Sequence, residues 1–169
     1  MKTQFRLHKS DQRDYEFDGR YWFQALSKSH YREWYFNLLK VIKKINTELD
    51  WKDCPDINEF KKRLEFDSVC HLWMFEDKPL GWHWSNHKHI TIDWKSSYRL
   101  LEDNRIYTGG AFLSKEKPEA SSAIKFYRQG IRYSFDYYRK DVQYLYNDDW
   151  NRASSLLSRQ VGFTEYKFL

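Results

Sequence analysis

The segment from residue 105 to 147 restricts the fold more than any other part of this chain. It reads as a strand, "RIYTGGAFLS" (105–114), then a helix over 121–139 and a second strand, "VQYLYN" (142–147). Strands joined through a helix in this way are typical of neighbours in one sheet, and ligands bind such units where a strand ends and a helix begins. The sequence therefore predicts a ligand site near residues 112–123.

The other hydrophobic patterns predict one α/β (α+β) domain over residues 1–169. In chain order they predict a strand (3–8), an amphipathic helix (about 21–49), a shorter helix (56–66), a β-hairpin (68–86), an irregular connection (86–104), a helix (151–161) and a last strand (162–169). Since no repeat or low-complexity linker separates these elements, we expect a single domain.

Charge is spread along the whole chain. Its 169 residues carry 29 Lys and Arg against 24 Asp and Glu, a net charge of +5. Residues 1–66, 67–114 and 115–169 contribute +3, −1 and +3, so there is no basic block of the kind that follows a nucleic-acid backbone. This distribution disfavours a nucleic-acid partner.

The first residues are too charged for a signal peptide, and no apolar run approaches the length of a membrane span. The two cysteines, Cys54 and Cys70, do not form a CxxC motif, which is typical of reduced thiols. We therefore expect a cytoplasmic protein with no membrane partner.

Small side chains open the helix that follows the strand at 105–114. Ala120, Ser121, Ser122 and Ala123 stand at its start. A helix N-terminus presents unpaired N–H groups and a partial positive charge, and small side chains let the backbone approach a phosphate. The stretch is either a phosphate cradle or a helix start that Ser121 caps.

Two further patterns have a functional and a structural interpretation. Gly109 and Gly110 lie inside a predicted strand, where glycine marks a bulge, a close ligand approach or room for a neighbouring Trp. His83, His87 and His89 would share one face if their strand continued, but Asn86 indicates a turn. No carboxylate or Cys completes a ligand set there, so we expect no metal site.

The C-terminal stretch "NDDWNRASSLLSRQVGFTEYKFL" carries a resemblance to a known family. Asn151, Ser154, Ser158, Gly162 and Phe163 fall on the spacing N-x-x-A-x-x-x-Y-x-x-x-G-F, which closes the domain in the GNAT superfamily of acyl-CoA-dependent N-acetyltransferases. The order of predicted elements is similar over most of the chain. The resemblance implies a central mixed, mostly antiparallel sheet with helices on both faces.

The resemblance also implies acetyl-CoA as co-substrate and a primary amine as acceptor. The family's pyrophosphate loop, Q/R-x-x-G-x-G/A, falls on residues 118–123, where only the final alanine matches. The implied cofactor-binding residues are Phe112, Leu113, Lys117, Glu119, Ala120, Ser121, Ser122, Ala123 and Asn151, with Lys115 supplying further charge.

At the family's tyrosine acid position this chain has Ser158, a poorer acid. Tyr107, Tyr144, Asp148 or a water chain could substitute as catalytic groups, and the sequence does not choose among them. A GNAT-fold protein that binds acyl-CoA or a partner without turnover is therefore the alternative function, and a homodimer is left open.

Overall fold

The structure of this chain is a computed structural model that describes residues 2–12, 18–26, 32–33, 35–36, 57–93, 96–99, 103–115 and 117–168. The strands of the described residues are β1 (Lys2–His8), β2 (Tyr21–Leu26), β3 (Val69–Phe75), β4 (Lys78–Asn86), β5 (His89–Asp93), β6 (Ser96–Arg99), β7 (Arg105–Leu113), β8 (Val142–Asp148) and β9 (Thr164–Phe168). Their helices are α1 (Ile57–Glu65), α2 (Ser122–Tyr138) and α3 (Arg152–Val161), with a short 3-10 turn at Lys9–Asp11.

Seven strands form one sheet in the order β2-β3-β4-β7-β8-β1-β9. β7 and β8 run parallel, and the other neighbouring pairs of this sheet are antiparallel. The mixed, mostly antiparallel sheet that the sequence resemblance implies is confirmed. The N-terminal strand β1 lies between β8 and β9, so the two ends of the described chain meet beside the parallel pair.

Helices cover both faces of this sheet, as expected. Side chains of a strand alternate between faces, and β3 shows both environments. Leu72 packs into the cluster that contains Leu64 of α1. Its neighbour Trp73 packs against Phe126 of α2 on the opposite face. Helix α3 contributes Val161 to a third cluster, which also contains residues of α2.

The helix predicted from about residue 21 to 49 is wrong at its beginning. Residues 21–26 form β2, which pairs antiparallel with β3 along its whole length. Tyr21 and Phe23 favour an extended strand, and the three-and-four spacing of apolar residues starts only at Tyr31. Residues 32–33 and 35–36 are helical, and the rest of that prediction lies outside the described residues.

The connection predicted as irregular from 86 to 104 contains a second, two-stranded sheet made of β5 and β6. The turn predicted at Asn86 is present, because its Oδ1 accepts hydrogen bonds from the backbone N–H groups of Lys88 and His89. The β5–β6 hairpin follows directly after this turn. Among the described residues, no helix is both long and apolar enough to cross a bilayer.

Candidate active site

A crevice opens between β7 and β8 where their parallel pairing stops. The pairing covers three positions, from Arg105 opposite Val142 to Tyr107 opposite Tyr144. Beyond them β7 stays paired with β4, whereas β8 stays paired with β1. The edge of β7 that faces β8 is therefore unpaired from Thr108 onward, and its backbone groups are available to a ligand.

A β-bulge lies at the mouth of this crevice. Trp82 of β4 pairs with Phe112 of β7 and Trp84 pairs with Gly109, so Gly110 and Ala111 together face one residue of β4. Gly110 adopts φ +65°, a conformation that glycine tolerates best. The bulge predicted at the two glycines is confirmed. The space at Gly110 accommodates the guanidinium of buried Arg63, and not the Trp that the structural interpretation expected.

The crevice contains a narrow cavity of about 60 Å³ between the bulge, β8 and one side of α3. It is lined by Gly109, Gly110, Ala111, Tyr127, Leu145, Tyr146, Asn147, Ser154, Leu157, Ser158, Val161 and Phe163. Since one water molecule needs about 10–15 Å³ of such space, this volume admits only a few water molecules. It suits a short acyl group better than a long chain.

Ser158 lies in this cavity, but its hydroxyl is already engaged. Its Oγ donates to the backbone oxygen of Ser154 (2.8 Å) and accepts from Asn147 Nδ2 (2.9 Å). A serine in this arrangement has no proton to offer a third group. Ser158 therefore lines the site without acting as a free acid.

Tyrosines occupy the opposite face of the sheet at the same level. Tyr107 and Tyr144 are both buried, and the ring centroid of Tyr107 lies 5.9 Å from that of Tyr146. The Tyr144 ring stacks under the Arg105 guanidinium at 4.6 Å. Burial is the largest cause of a raised pKa at Tyr146, so its phenol stays protonated and can donate. Of the predicted substitutes, Tyr107 and Tyr144 are near the crevice.

Asp148 and Asn151 lie where β8 passes into α3. The backbone oxygen of Asp148 accepts from the Asn151 N–H at 2.9 Å. Asn151 is the N-cap of α3, and its Oδ1 accepts from the Ser154 N–H at 3.1 Å. The Asn151 side-chain oxygen therefore caps a helix.

The predicted cradle is the start of α2. Ser121 is the N-cap residue, yet its side chain makes no capping hydrogen bond. Ser122 is fully buried, and its Oγ donates to the backbone oxygen of Glu119 (2.8 Å) and lies 3.1 Å from the Tyr21 hydroxyl. Small residues are required here because Ser122 packs inward against β2. Ala123 is half-buried, whereas Lys117 and Ala120 are exposed.

A cluster of charges surrounds the start of α2. The Glu119 carboxylate accepts from the Tyr21 hydroxyl (2.6 Å) and forms an ion pair with Lys125. Lys125 also lies 3.5 Å from Asp18. The Lys125 hydrogen bond, followed by that of Tyr21, holds the pKa of Glu119 below its usual range. Lys125 is therefore shared between two carboxylates.

The remaining predicted cofactor residues, Phe112 and Leu113, end β7. The Phe112 ring stacks on Trp82 at 4.9 Å, and Leu113 packs against the cluster that contains Tyr21. Their side chains thus belong to the core on opposite faces. Only their backbone groups can face the crevice.

The histidines singled out in the sequence are separated by the fold. His83 is fully buried and stacks on His71 with ring centroids 4.5 Å apart. His87 instead contacts Tyr138, and His89 contacts Phe66. Among the described residues, no group of three His, Cys, Asp or Glu side chains is placed to hold a metal ion.

Comparisons by sequence find no relative: no model of a known protein family matches the chain, and neither does any curated protein sequence. Solved structures do match. A GCN5-related N-acetyltransferase from Kribbella flavida covers 96% of this chain at 12% identity and a TM-score of 0.54. A GNAT-family acetyltransferase from Colwellia psychrerythraea covers 97% at 10% identity and a TM-score of 0.60.

A third match is AAC(6')-Iy in complex with the bisubstrate analog CoA-S-monomethyl-acetylneamine, which covers 88% of this chain at 15% identity with a TM-score of 0.58. The chain has the GNAT fold. It spans 94% of the AAC(6')-Iy chain, but only about half of the other two, 53% and 52%. The resemblance inferred from the C-terminal motif is thus confirmed for the architecture, and the order of elements supports it from β3 onward.

The sequence did not reveal the part of this GNAT-fold site that β1 supplies. Gln4 Nε2 donates to the Tyr146 hydroxyl at 2.8 Å, directly across the β1–β8 ladder. The alternation of Gln4 and Arg6 with the core residues Phe5 and Leu7 was a visible signal of a two-faced strand. No signal in the sequence indicated that this strand lies next to β8, because a strand pattern does not identify the strand with which it pairs.

Proposed function

We propose that this chain is an N-acyltransferase that moves an acetyl group from acetyl-CoA to a primary amine. One observation carries the proposal: in a GNAT fold, a bulged strand separates from its parallel neighbour at a crevice, and the chain runs on from that strand into helix α2, which lines the crevice through Tyr127. The backbone groups of the strand edge, the bulge and the helix start supply hydrogen-bond donors and acceptors, so binding there needs no dedicated side chain. Such an arrangement suits a long polar arm that ends in a small reactive group.

The residues of the site fit CoA in distinct ways. When bound, acetyl-CoA would supply an acyl group activated as a thioester. The unpaired edge of β7 and the bulge at Gly110 would hold the arm, and the backbone N–H groups that follow Ser122 in the first turn of α2 would bind the diphosphate, since the Ser122 N–H already donates to the backbone oxygen of Glu119. The Glu119 carboxylate repels an anion at the start of α2, and its ion pair with Lys125 offsets that repulsion. Asn151 serves this site by ordering α3.

Proton movement in the site falls to the tyrosines rather than to Ser158. An amine must lose a proton to form an amide, and the departing thiolate must gain one. The Ser158 proton is donated to a backbone oxygen. Tyr146 accepts from Gln4, so the phenol's own proton remains available to a neighbour in the crevice. Tyr107 lies beside it.

A protein that binds acyl-CoA without turnover is the second candidate. Two observations favour it: the engaged hydroxyl of Ser158 at the family's acid position, and the Glu119 carboxylate beside the proposed diphosphate site. This candidate shares the CoA site with the first and differs only in amine-dependent release of thiol.

The test is thiol release from acetyl-CoA in the presence of diamines, amino sugars and peptide amines. Because the Ser158 hydroxyl already donates its proton to a backbone oxygen, we expect Ser158→Ala to lower turnover by about tenfold or less and to leave CoA affinity unchanged. Ser155→Ala, on the same helix, is the matched control. A roughly thousandfold loss in Ser158→Ala alone would make Ser158 an essential acid and contradict the assignment. CoA binding with no amine-dependent thiol release would select the second candidate.

A further inference from the structure

Two buried polar atoms on one face of β1 have no hydrogen-bond partner in the part of the chain that the structure describes. Gln4 is only 4% exposed, and its Oε1 is unpartnered while its Nε2 donates to Tyr146. Two residues further along, Arg6 Nε is also buried without a partner. Buried polar groups are nearly always satisfied, so these two atoms mark a place where hydrogen-bonding groups from outside the described chain would fit.

Gln4 lies beside the crevice, and Arg6 lies two residues along the same face, opposite the last position at which β8 is paired with β7. Phe5 and Leu7 point into the core with α2 and α3, so Gln4 and Arg6 point to the opposite face. There, Gln4 is opposite Tyr146 and Arg6 is opposite Tyr144 on β8. Since Tyr146 lines the crevice, this face adjoins the point where an acyl group would be held.

The two atoms have complementary chemistry. An amide oxygen such as Gln4 Oε1 accepts hydrogen bonds, as from an amine N–H, whereas a guanidinium such as that of Arg6 only donates. The Arg6 guanidinium lies 4.2 Å from the centre of the Tyr166 ring, and no described carboxylate pairs with it. Residues i and i+2 of a strand have Cα atoms about 6.5 Å apart, a span that an amine and a nearby carboxylate can bridge.

We infer that this face of β1 binds the acceptor, and that the acceptor is an amine that also carries a carboxylate, as an α-amino acid does. Gln4 Oε1 accepts a hydrogen bond from an N–H of the amine, and the Arg6 guanidinium donates hydrogen bonds to the carboxylate. The Tyr146 hydroxyl, which accepts a hydrogen bond from Gln4 Nε2, holds the Gln4 amide in place. The Arg105 guanidinium over Tyr144 adds positive charge to the same face, which disfavours polycationic acceptors. This inference rests on the proposed acyl transfer, since it names the acceptor of that reaction. Binding of the acceptor can be tested without CoA.

The test compares two probes that differ in one carboxylate, L-phenylalanine and phenethylamine. Each probe is titrated into ¹⁵N-labelled protein without CoA, and the side-chain signals of Gln4 and Arg6 are followed. These signals are assigned beforehand as the ones that disappear in Gln4→Leu and in Arg6→Met. We expect the wild type to bind phenylalanine at least about tenfold more tightly than phenethylamine, since charged hydrogen bonds to a guanidinium are strong. Arg6→Met should remove this preference and leave the phenethylamine affinity unchanged. Gln4→Leu should weaken both probes, and Gln24→Leu on the distant strand β2 should change neither.

Equal affinity of the wild type for both probes, binding of neither, or a preference that survives Arg6→Met would overturn the inference. Gln4→Leu removes an amide with an unsatisfied oxygen, so we expect its melting temperature to be equal to or above that of the wild type. If it fails to fold, the affinity ratio in Arg6→Met decides alone. Failure of CoA to bind in a parallel titration would instead count against the proposed acyl transfer.

Discussion

Gly130→Ala is expected to destabilise the protein by about 3 kcal/mol or more, the upper end of what overpacking costs. In an ordinary helix interior the same change stabilises by about 0.5–1 kcal/mol. Here a Cβ on Gly130 would overlap Cε1 of His83 and lie 2.6 Å from its Nε2. The His83 ring cannot move aside, because it stacks on His71 and accepts a hydrogen bond from the Trp73 indole at 2.6 Å.

Urea unfolding of a double-mutant cycle tests this explanation. Gly130→Ala should cost much less in a His83→Ala background, because the overlapping ring is gone. A Gly130→Ala variant that is as stable as the wild type, or more so, would show that α2 does not approach β4 as closely as the structure places it.

Acidification from pH 6.5 toward pH 4 is expected to destabilise the fold strongly, because two buried histidines must stay neutral. Burial lowers the pKa of His71 to about 3, and burial together with the His71 neighbour lowers the pKa of His83 well below its usual value. An unfolded histidine binds a proton below about pH 6.5, whereas the folded one does not. Stability is therefore fully present above pH 6.5 and is lost as pH falls, by about 3 kcal/mol at pH 4 from His71 alone.

The surroundings of this pair explain why protonation is unfavourable. Phe23 and Tyr133 contact the His71 ring, Tyr127 stacks on His83, and no carboxylate of the described residues is bonded to either ring. The free energy of unfolding should be measured between pH 7 and 5, above the range where most carboxyl groups titrate. His71→Gln should flatten the slope, while His8→Gln, at a half-buried histidine of β1, should not. A wild-type stability that is level from pH 7 to 5 would contradict the buried, neutral pair.

How far the sequence predicts this protein depends on whether each signal is local. The strand–helix–strand unit, the bulge at Gly109 and Gly110 and the helix predicted over 151–161 follow from local chemistry, and all three are present. The prediction that a helix begins at residue 21 is wrong because the helical pattern begins only later, and the strand that starts at Tyr21 pairs with β3, with Tyr21 opposite Phe75. The inward packing of Ser122 and the hydrogen bond from Gln4 to Tyr146 join residues about 100 or more positions apart, so no local pattern could show them.

The most direct test of the account is CoA affinity, measured by isothermal titration calorimetry in the matched pair Ser121→Asp and Ser121→Asn. Both side chains can cap α2 where Ser121 makes no capping hydrogen bond, so both variants should be at least as stable as the wild type. Only Asp places a negative charge where the diphosphate of CoA is proposed to lie. We expect the wild type and Ser121→Asn to bind CoA within about twofold of each other and Ser121→Asp to bind at least about tenfold more weakly. Equal CoA affinity in all three proteins, or no CoA binding by the wild type, would contradict the account.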